Sequence, residues 1–157
     1  MMLPHLQIKR KTASFKDIFR HLMDVSGNFM PPLADRVNLT QYTQKINMKG
    51  ITFEAWIDDR LVGLVAAYFP VEVDKPVFIT NVSVSKEFMG QGISYKLMSA
   101  CIQHAVGLNF ACIDLEVNEK NVRAVSLYRK LGFKTSERVD GLLRMSLNLP
   151  GSERSDR

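Results

Sequence analysis

The chain has 157 residues, of which 46% are hydrophobic, 24% charged and 9% aromatic. That suits one globular domain able to bury its own core without a disulfide or a structural metal. No apolar run nears the roughly 20 residues of a membrane span, and the first ten residues put their charges after a short apolar stretch, the reverse of a secretory signal. The 21 Lys and Arg exceed the 16 Asp and Glu by five. They are scattered rather than interleaved with aromatics, which suits an anionic ligand or a solvated surface better than nucleic acid. Cys101 and Cys112 lie in apolar surroundings and read as reduced core positions, so a cytoplasmic protein is expected.

Residues 1–150 alternate between helix and strand signals, as in a single α/β or α+β domain. Lys9-Arg10-Lys11 reads as a solvated strand end. Ser14-Phe15-Lys16-Asp17 is a capping box, and Phe15, Ile18, Phe19, Leu22 and Val25 follow at helical spacing until Gly27 and Pro31-Pro32. A second helix starts at Asn38, turns Leu39, Tyr42 and Ile46 inward, and stops at Gly50. Strands at 51–57 and 61–68 flank a turn at Asp58-Asp59-Arg60, and a third strand spans 77–84. A helix covers 93–106 and is closed by Gly107. Residues 112–118 alternate as a strand, 122–131 form a helix capped by Gly132, and strands at 133–139 and 142–149 meet at Asp140-Gly141. The polar residues 151–157 are expected to fray.

Two segments carry the chemistry. In the first, a strand ending Val82-Ser83-Val84 runs through Met89-Gly90-Gln91-Gly92 into the helix opening Ile93-Ser94-Tyr95. A glycine loop at a helix N-terminus aims free N–H groups and the positive end of the helix dipole at one place, which is an anion site, most often for phosphate. A bare Gly-x-Gly fits an ordinary tight loop equally well. The chain has no Gly-Lys-Ser/Thr, so this is not a Walker loop, and the dinucleotide fingerprint is incomplete. The second segment is the strand with Glu116 and Asn118, a loop with Asn121, and a helix ending Tyr128-Arg129-Lys130-Leu131-Gly132-Phe133. Taken alone, Tyr128 fits a core tyrosine.

Together the two segments resemble the Gcn5-related N-acetyltransferases over about residues 77–149. The family's phosphate-loop pattern, Gln/Arg-x-x-Gly-x-Gly/Ala, falls on Met89–Ser94, where Gly92 matches while Met89 and Ser94 depart from it. The resemblance implies an acyl-CoA N-acyltransferase fold: a mixed, mostly antiparallel sheet with helices on both faces. In it strands 77–84 and 112–118 are adjacent, parallel and splayed. It implies acetyl-CoA as cosubstrate, a primary amine as acceptor (a small molecule or a protein N-terminus), no metal, and room for a homodimer. It assigns Val82–Val84, Met89–Tyr95, Asn121 and Tyr128 to the cofactor, and Tyr128 to the departing sulfur. Glu116 has the spacing to Tyr128 of a catalytic glutamate in members that resemble ribosomal-protein N-terminal acetyltransferases. Asn118, Asn81 and Glu72 are the alternative, as holders of a water relay. The stretch from Phe29 through Met30 to Arg36 falls where the family builds its acceptor groove.

The chemistry asks for such groups. An alkylamine of pKa near 10 is only about one part in a thousand neutral at pH 7, so it must lose a proton before attacking a thioester. A carboxylate raised by partial burial, or a water relay, can take that proton. A backbone N–H near Val82–Val84 can stabilise the developing oxyanion, and a phenol can protonate the thiolate. No Gly-x-Ser-x-Gly elbow or Cys–His couple offers a covalent route, and His21 and His104 read as structural. The same fold would also serve a non-catalytic module that senses acyl-CoA or a partner.

Overall fold

The structure is a computed structural model and describes residues 5–29 and 31–154. In chain order the elements are β1 (Leu6–Arg10), α1 (Phe15–Val25), α2 (Leu33–Arg36), α3 (Leu39–Lys49), β2 (Ile51–Ile57), β3 (Arg60–Tyr68), β4 (Val77–Val84), α4 (Ile93–Gly107), β5 (Cys112–Asn118), α5 (Val122–Lys130), β6 (Lys134–Val139) and β7 (Leu142–Asn148). One seven-stranded sheet has the order β1-β2-β3-β4-β5-β7-β6, antiparallel throughout except for β4 beside β5. No helix among the described residues is long and apolar enough to cross a membrane.

Helices cover both faces. The capping box forms as expected, with Ser14 Oγ accepting from Asp17 N and the Asp17 carboxylate accepting from Ser14 N. It points Ile18, Leu22 and Val25 of α1 into a core shared with Ile46 of α3 and with Leu64 and Ala66 of β3. On the opposite face Leu97, Met98 and Cys101 of α4, with Val125 and Tyr128 of α5, bury against Val65, Ile79, Leu115 and Val117. Burying each large side chain contributes about 1.5–3 kcal/mol. Gly63 sets how closely α4 lies on the sheet: a Cβ there would stand 2.8 Å from Ile93 Cγ2 and 3.2 Å from Leu97 Cδ1.

A different tie holds the chain between β1 and α1. The carboxylate of Glu54 on β2 is fully buried and accepts from the backbone N–H of Thr12 and Ala13, the hydroxyls of Thr12 and Thr52, and the Trp56 indole. Burial alone would push Glu54 up, but these donors outweigh it and hold the carboxyl below its usual range.

Several expectations need correction. The four-residue α2 fills the stretch after Pro31-Pro32, where no helix was expected; Met30 lies outside the described residues. Gly107 is the last residue of α4, and it is Asn109, at φ +66°, that takes the left-handed position beyond it. Cys101 is buried, whereas Cys112 is only half-buried; neither is in a disulfide. Residues Pro150–Arg154 form a short 3-10 helix instead of fraying. Gly151 passes so close to residues 109–110 that a Cβ would meet the Phe110 carbonyl oxygen at 2.5 Å. Residues 155–157 lie outside the described residues.

Two irregularities of β4 shape the centre of the sheet. Ala67 pairs with Ile79 and Ala66 with Asn81, so Thr80 is an extra residue, a bulge that bends β4. On its other side β4 pairs with β5 through only three rungs, Val77–Ile113, Phe78–Asp114 and Ile79–Leu115. Beyond them the strands part.

Candidate active site

The splay opens toward the end of the sheet from which α4 starts. β4 leads through a 3-10 turn at Lys86–Phe88 and Met89 to Gly90 (φ +79°), Gln91 and Gly92 (φ +80°), the N-cap of α4. Both glycines hold left-handed conformations that a side chain disfavours. Gly92 caps with no side chain, so the first N–H groups of α4 remain available, and a Cβ on Gly92 would meet nothing within 4 Å. The loop is therefore an open cradle of donors at a positive helix end. Within it Gln91 Oε1 is buried without a partner. Ser94 is half-buried, Tyr95 is exposed, and Met89 is 39% exposed.

Sequence reasoning missed what stands above this cradle. Arg123 of α5 brings Nη2 to 3.2 Å from where a Gly90 Cβ would be, and Lys130 lies over the Tyr95 ring, Nζ 5.4 Å from its centre. Among the described residues neither cation meets a carboxylate. They are seven residues apart, on one side of α5. That spacing was the available signal. Asn121 is the N-cap of α5, its Oδ1 accepting from Ala124 N at 3.2 Å, so it fixes where α5 begins.

Tyr128 is 6% exposed, its ring edge-on to Phe133 with centroids 6.0 Å apart. Among the described residues its hydroxyl has no hydrogen-bond partner. Burial holds the phenol well above the ordinary tyrosine range, so it stays protonated at neutral pH.

Glu116 departs from expectation. The base argument asked for a partly buried carboxylate, but its side chain is 40% exposed and faces Arg144 at 3.6 Å. Arg144 stands opposite it in register and also pairs with Asp114 at 3.0 Å. The polar strand face is as expected. It is uncovered because α1 and α3 pack over β3 and stop short of β5. Glu116 and Tyr128 thus lie on opposite faces of the sheet, since Tyr128 packs with Val117 while Glu116 points the other way. The gap beyond Ile79 and Leu115 is where the two faces communicate.

Of the relay candidates, Asn81 lines the α1 face, where its Oδ1 accepts from Ser83 Oγ at 2.7 Å and Ser83 meets His21 Nε2 at 2.9 Å. Asn81 Nδ2 is buried without a partner. Burial pushes His21 down to about 4 against the pull of Asp24, so it is neutral and best placed to donate to Ser83. Asn118 accepts from Lys120 N at 2.9 Å at the far end of β5. Glu72 is not brought here. It lies in the exposed β3–β4 loop, which docks against the start of β5 where Ala111 N donates to Val73 O. Near the bulge, Tyr42 of α3 donates to the Thr80 carbonyl at 2.7 Å, and Tyr68 OH is buried without a partner. Val82 is half-buried, and Ser83 and Val84 are buried, on β4 beyond its last rung with β5. His104 packs against Phe53 and Phe69 and meets Arg10, as a structural residue does. No cluster of His, Cys, Asp or Glu among the described residues is arranged to hold a metal.

Comparison with known proteins agrees with this geometry. Over 82 residues, 52% of the chain, it is 29% identical to L-2,4-diaminobutyric acid acetyltransferase of Marinococcus halophilus, covering 48% of that protein. It is 28% identical over 82 residues to spermine/spermidine N(1)-acetyltransferase of Bacillus subtilis, covering 51% of this chain and 53% of the relative. The chain thus spans about half the length of these relatives. A GNAT family acetyltransferase of Elizabethkingia anophelis, solved with acetyl-CoA bound, superposes with a TM-score of 0.71 over 94% of this chain and 100% of that one, at 17% identity. At that identity the likeness speaks for the fold. Residues 16–133 match the acetyltransferase (GNAT) family, and the chain belongs to that family.

Proposed function

We propose that the protein transfers an acetyl group from acetyl-CoA to a primary amine by direct attack, within one domain spanning residues 1–150. One observation carries the reading: a gap in the sheet beyond Ile79 and Leu115 has an open anion cradle at its mouth, a buried phenol on one face and a carboxylate on the other. The cradle fits a diphosphate. Its N–H groups are uncapped, the space before Gly92 is empty, and Arg123 and Lys130 add positive charge. Acetyl-CoA supplies the activated acyl group when bound.

The protein's own groups divide the work. Backbone N–H groups of Gly90–Tyr95 hold the diphosphate, and a backbone N–H on the β5 side of Val82–Val84, past the last rung with β5, receives charge on the acetyl oxygen. From the open face, Glu116 takes the amine proton directly or through water held by Asn81 or Asn118. From the opposite face, Tyr128 hands its proton to the departing sulfur. Fixing amine and thioester on either side of one gap supplies much of the rate. Primary amines are supported as acceptors by the names of the relatives. Two free cysteines support a cytoplasmic setting. Incubation with acetyl-CoA and an amine panel tests the reading: CoA release with matching mass gain of one acetyl group on an amine is expected, and CoA binding without release for any amine would leave a sensing module.

A further inference from the structure

On the open face, where the proposed reaction would take its acceptor, the two sides of the gap differ in charge. The floor there is the stretch of β3, β4 and β5 not covered by α1 and α3. One wall is β5 and β7. There Asp114 is satisfied by Arg144 at 3.0 Å and Ser146 at 2.6 Å, which leaves Glu116, at 3.6 Å from Arg144, as the looser carboxylate. The other wall is α2 and α3, and its charge is positive. Arg36 lies over Phe29, 5.7 Å from the ring centre, and its charge reaches Tyr42, although burial holds that phenol above the ordinary tyrosine range. Lys45 lies over Tyr68, Nζ 4.9 Å from the ring centre.

These two cations flank the Tyr42–Thr80 contact at the bulge. Among the described residues neither meets a carboxylate, so both positive charges are uncompensated at the mouth of a site meant to receive a cation. Tyr68 OH and Asn81 Nδ2, short of full hydrogen bonds, are buried beside Thr80 and Tyr42 beneath this wall. A polycation would meet Arg36 and Lys45 with like charge. An amine that also carries a carboxylate would place its ammonium by Glu116 and its anionic end against the α2–α3 wall.

We propose that the acceptor is a small amine bearing a carboxylate, selected by Arg36 and Lys45. The inference rests on the acetyl-transfer reading. Matched pairs that differ only in the carboxylate test it: lysine against cadaverine, and 2,4-diaminobutyrate against 1,3-diaminopropane, with spermidine as the polycation. Initial rates of CoA release give kcat/KM for each, for the wild type and for Arg36→Gln and Lys45→Gln, with CoA affinity by calorimetry confirming that each variant is folded. The carboxylate-bearing member of a pair should be preferred by about tenfold or more, the size of one charge-assisted contact. Each variant should cut that preference severalfold. Equal use of both members, preference for the diamine or spermidine, or a preference untouched in both variants overturns the inference while acetyl transfer stands. CoA release with none of these five amines also overturns the inference, and the wider amine panel, protein N-termini included, then decides separately whether acetyl transfer stands.

Discussion

Replacing Tyr128 by phenylalanine removes one oxygen and keeps the ring. That ring is 6% exposed and sits edge-on to Phe133, so its packing survives the change. The lost hydroxyl has no partner among the described residues, so no hydrogen bond is broken and no donor or acceptor is stranded. Losing a hydroxyl that is not sealed from solvent should change stability by about 1 kcal/mol or less, which in a chain of this length moves Tm by at most about 2–4 °C. Catalysis should respond far more strongly. If Tyr128 protonates the departing sulfur, its loss should lower kcat by about 10- to 1000-fold, because the thiolate must leave unprotonated or draw on water. KM for acetyl-CoA should change little, since the hydroxyl acts mainly as the carbon–sulfur bond breaks. Steady-state CoA release paired with thermal unfolding separates the two effects. Equal turnover in both proteins, with acetyl transfer shown to limit the rate, would return Tyr128 to a purely structural role. A fall in Tm of several degrees would refute the packing argument.

Gly92→Asp should abolish CoA binding by calorimetry, because a carboxylate would occupy the empty cradle, whereas Gly92→Ala bears a similar backbone strain at φ +80° yet should keep measurable affinity. Glu116→Gln should slow acetyl transfer mainly at neutral pH and partly recover at higher pH, where the substrate amine loses its proton unaided; full activity with an unaltered profile would remove Glu116 from the mechanism. His21 is held at about 4 against an ordinary value of 6.5, so its contribution to stability is complete above pH 6.5 and fades as pH falls toward 4. The loss amounts to about 3 kcal/mol. Urea midpoints across that range should fall more steeply for the wild type than for His21→Asn, and parallel curves would refute the assignment.

Local signals carried much of the architecture. The capping box at Ser14, the hairpin turn at Asp58-Asp59 and the alternation of β5 each depend on residues within a few positions of one another. The four-residue α2 is too short for a periodic pattern, and a left-handed Asn109 gives no signal as strong as the nearby Gly107. The site divides similarly. The loop of Gly90 and Gly92 and the helix of Tyr128 are contiguous motifs and were legible. Arg123 reaches the loop only because α5 folds back beside the start of α4. Glu116 was readable as polar but not as exposed, since its burial depends on where α1 and α3 end their cover. The bulge at Thr80 leaves no mark in the alternation of β4, because Thr80 and Asn81 are both polar.

The narrow join between β4 and β5 has a further meaning for how the molecule holds together. Four strands come from the first 84 residues and three from residue 112 onward, so the seam divides the sheet into two parts, each continuous in sequence. Three rungs, the bond from Ala111 N to Val73 O, and the shared core that joins Val65 and Ile79 to Leu115 and Val117 beneath α4 and α5 bridge them. The shared core couples the two parts, while the short ladder makes the seam the weakest line of the sheet, so amide exchange beside it, at the ends of β4 and β5, should be the fastest in the central strands. The chain crosses from one part to the other between β4 and β5 through the glycine loop and α4. A ligand held there would clasp the two parts at their junction and raise the protection along the seam.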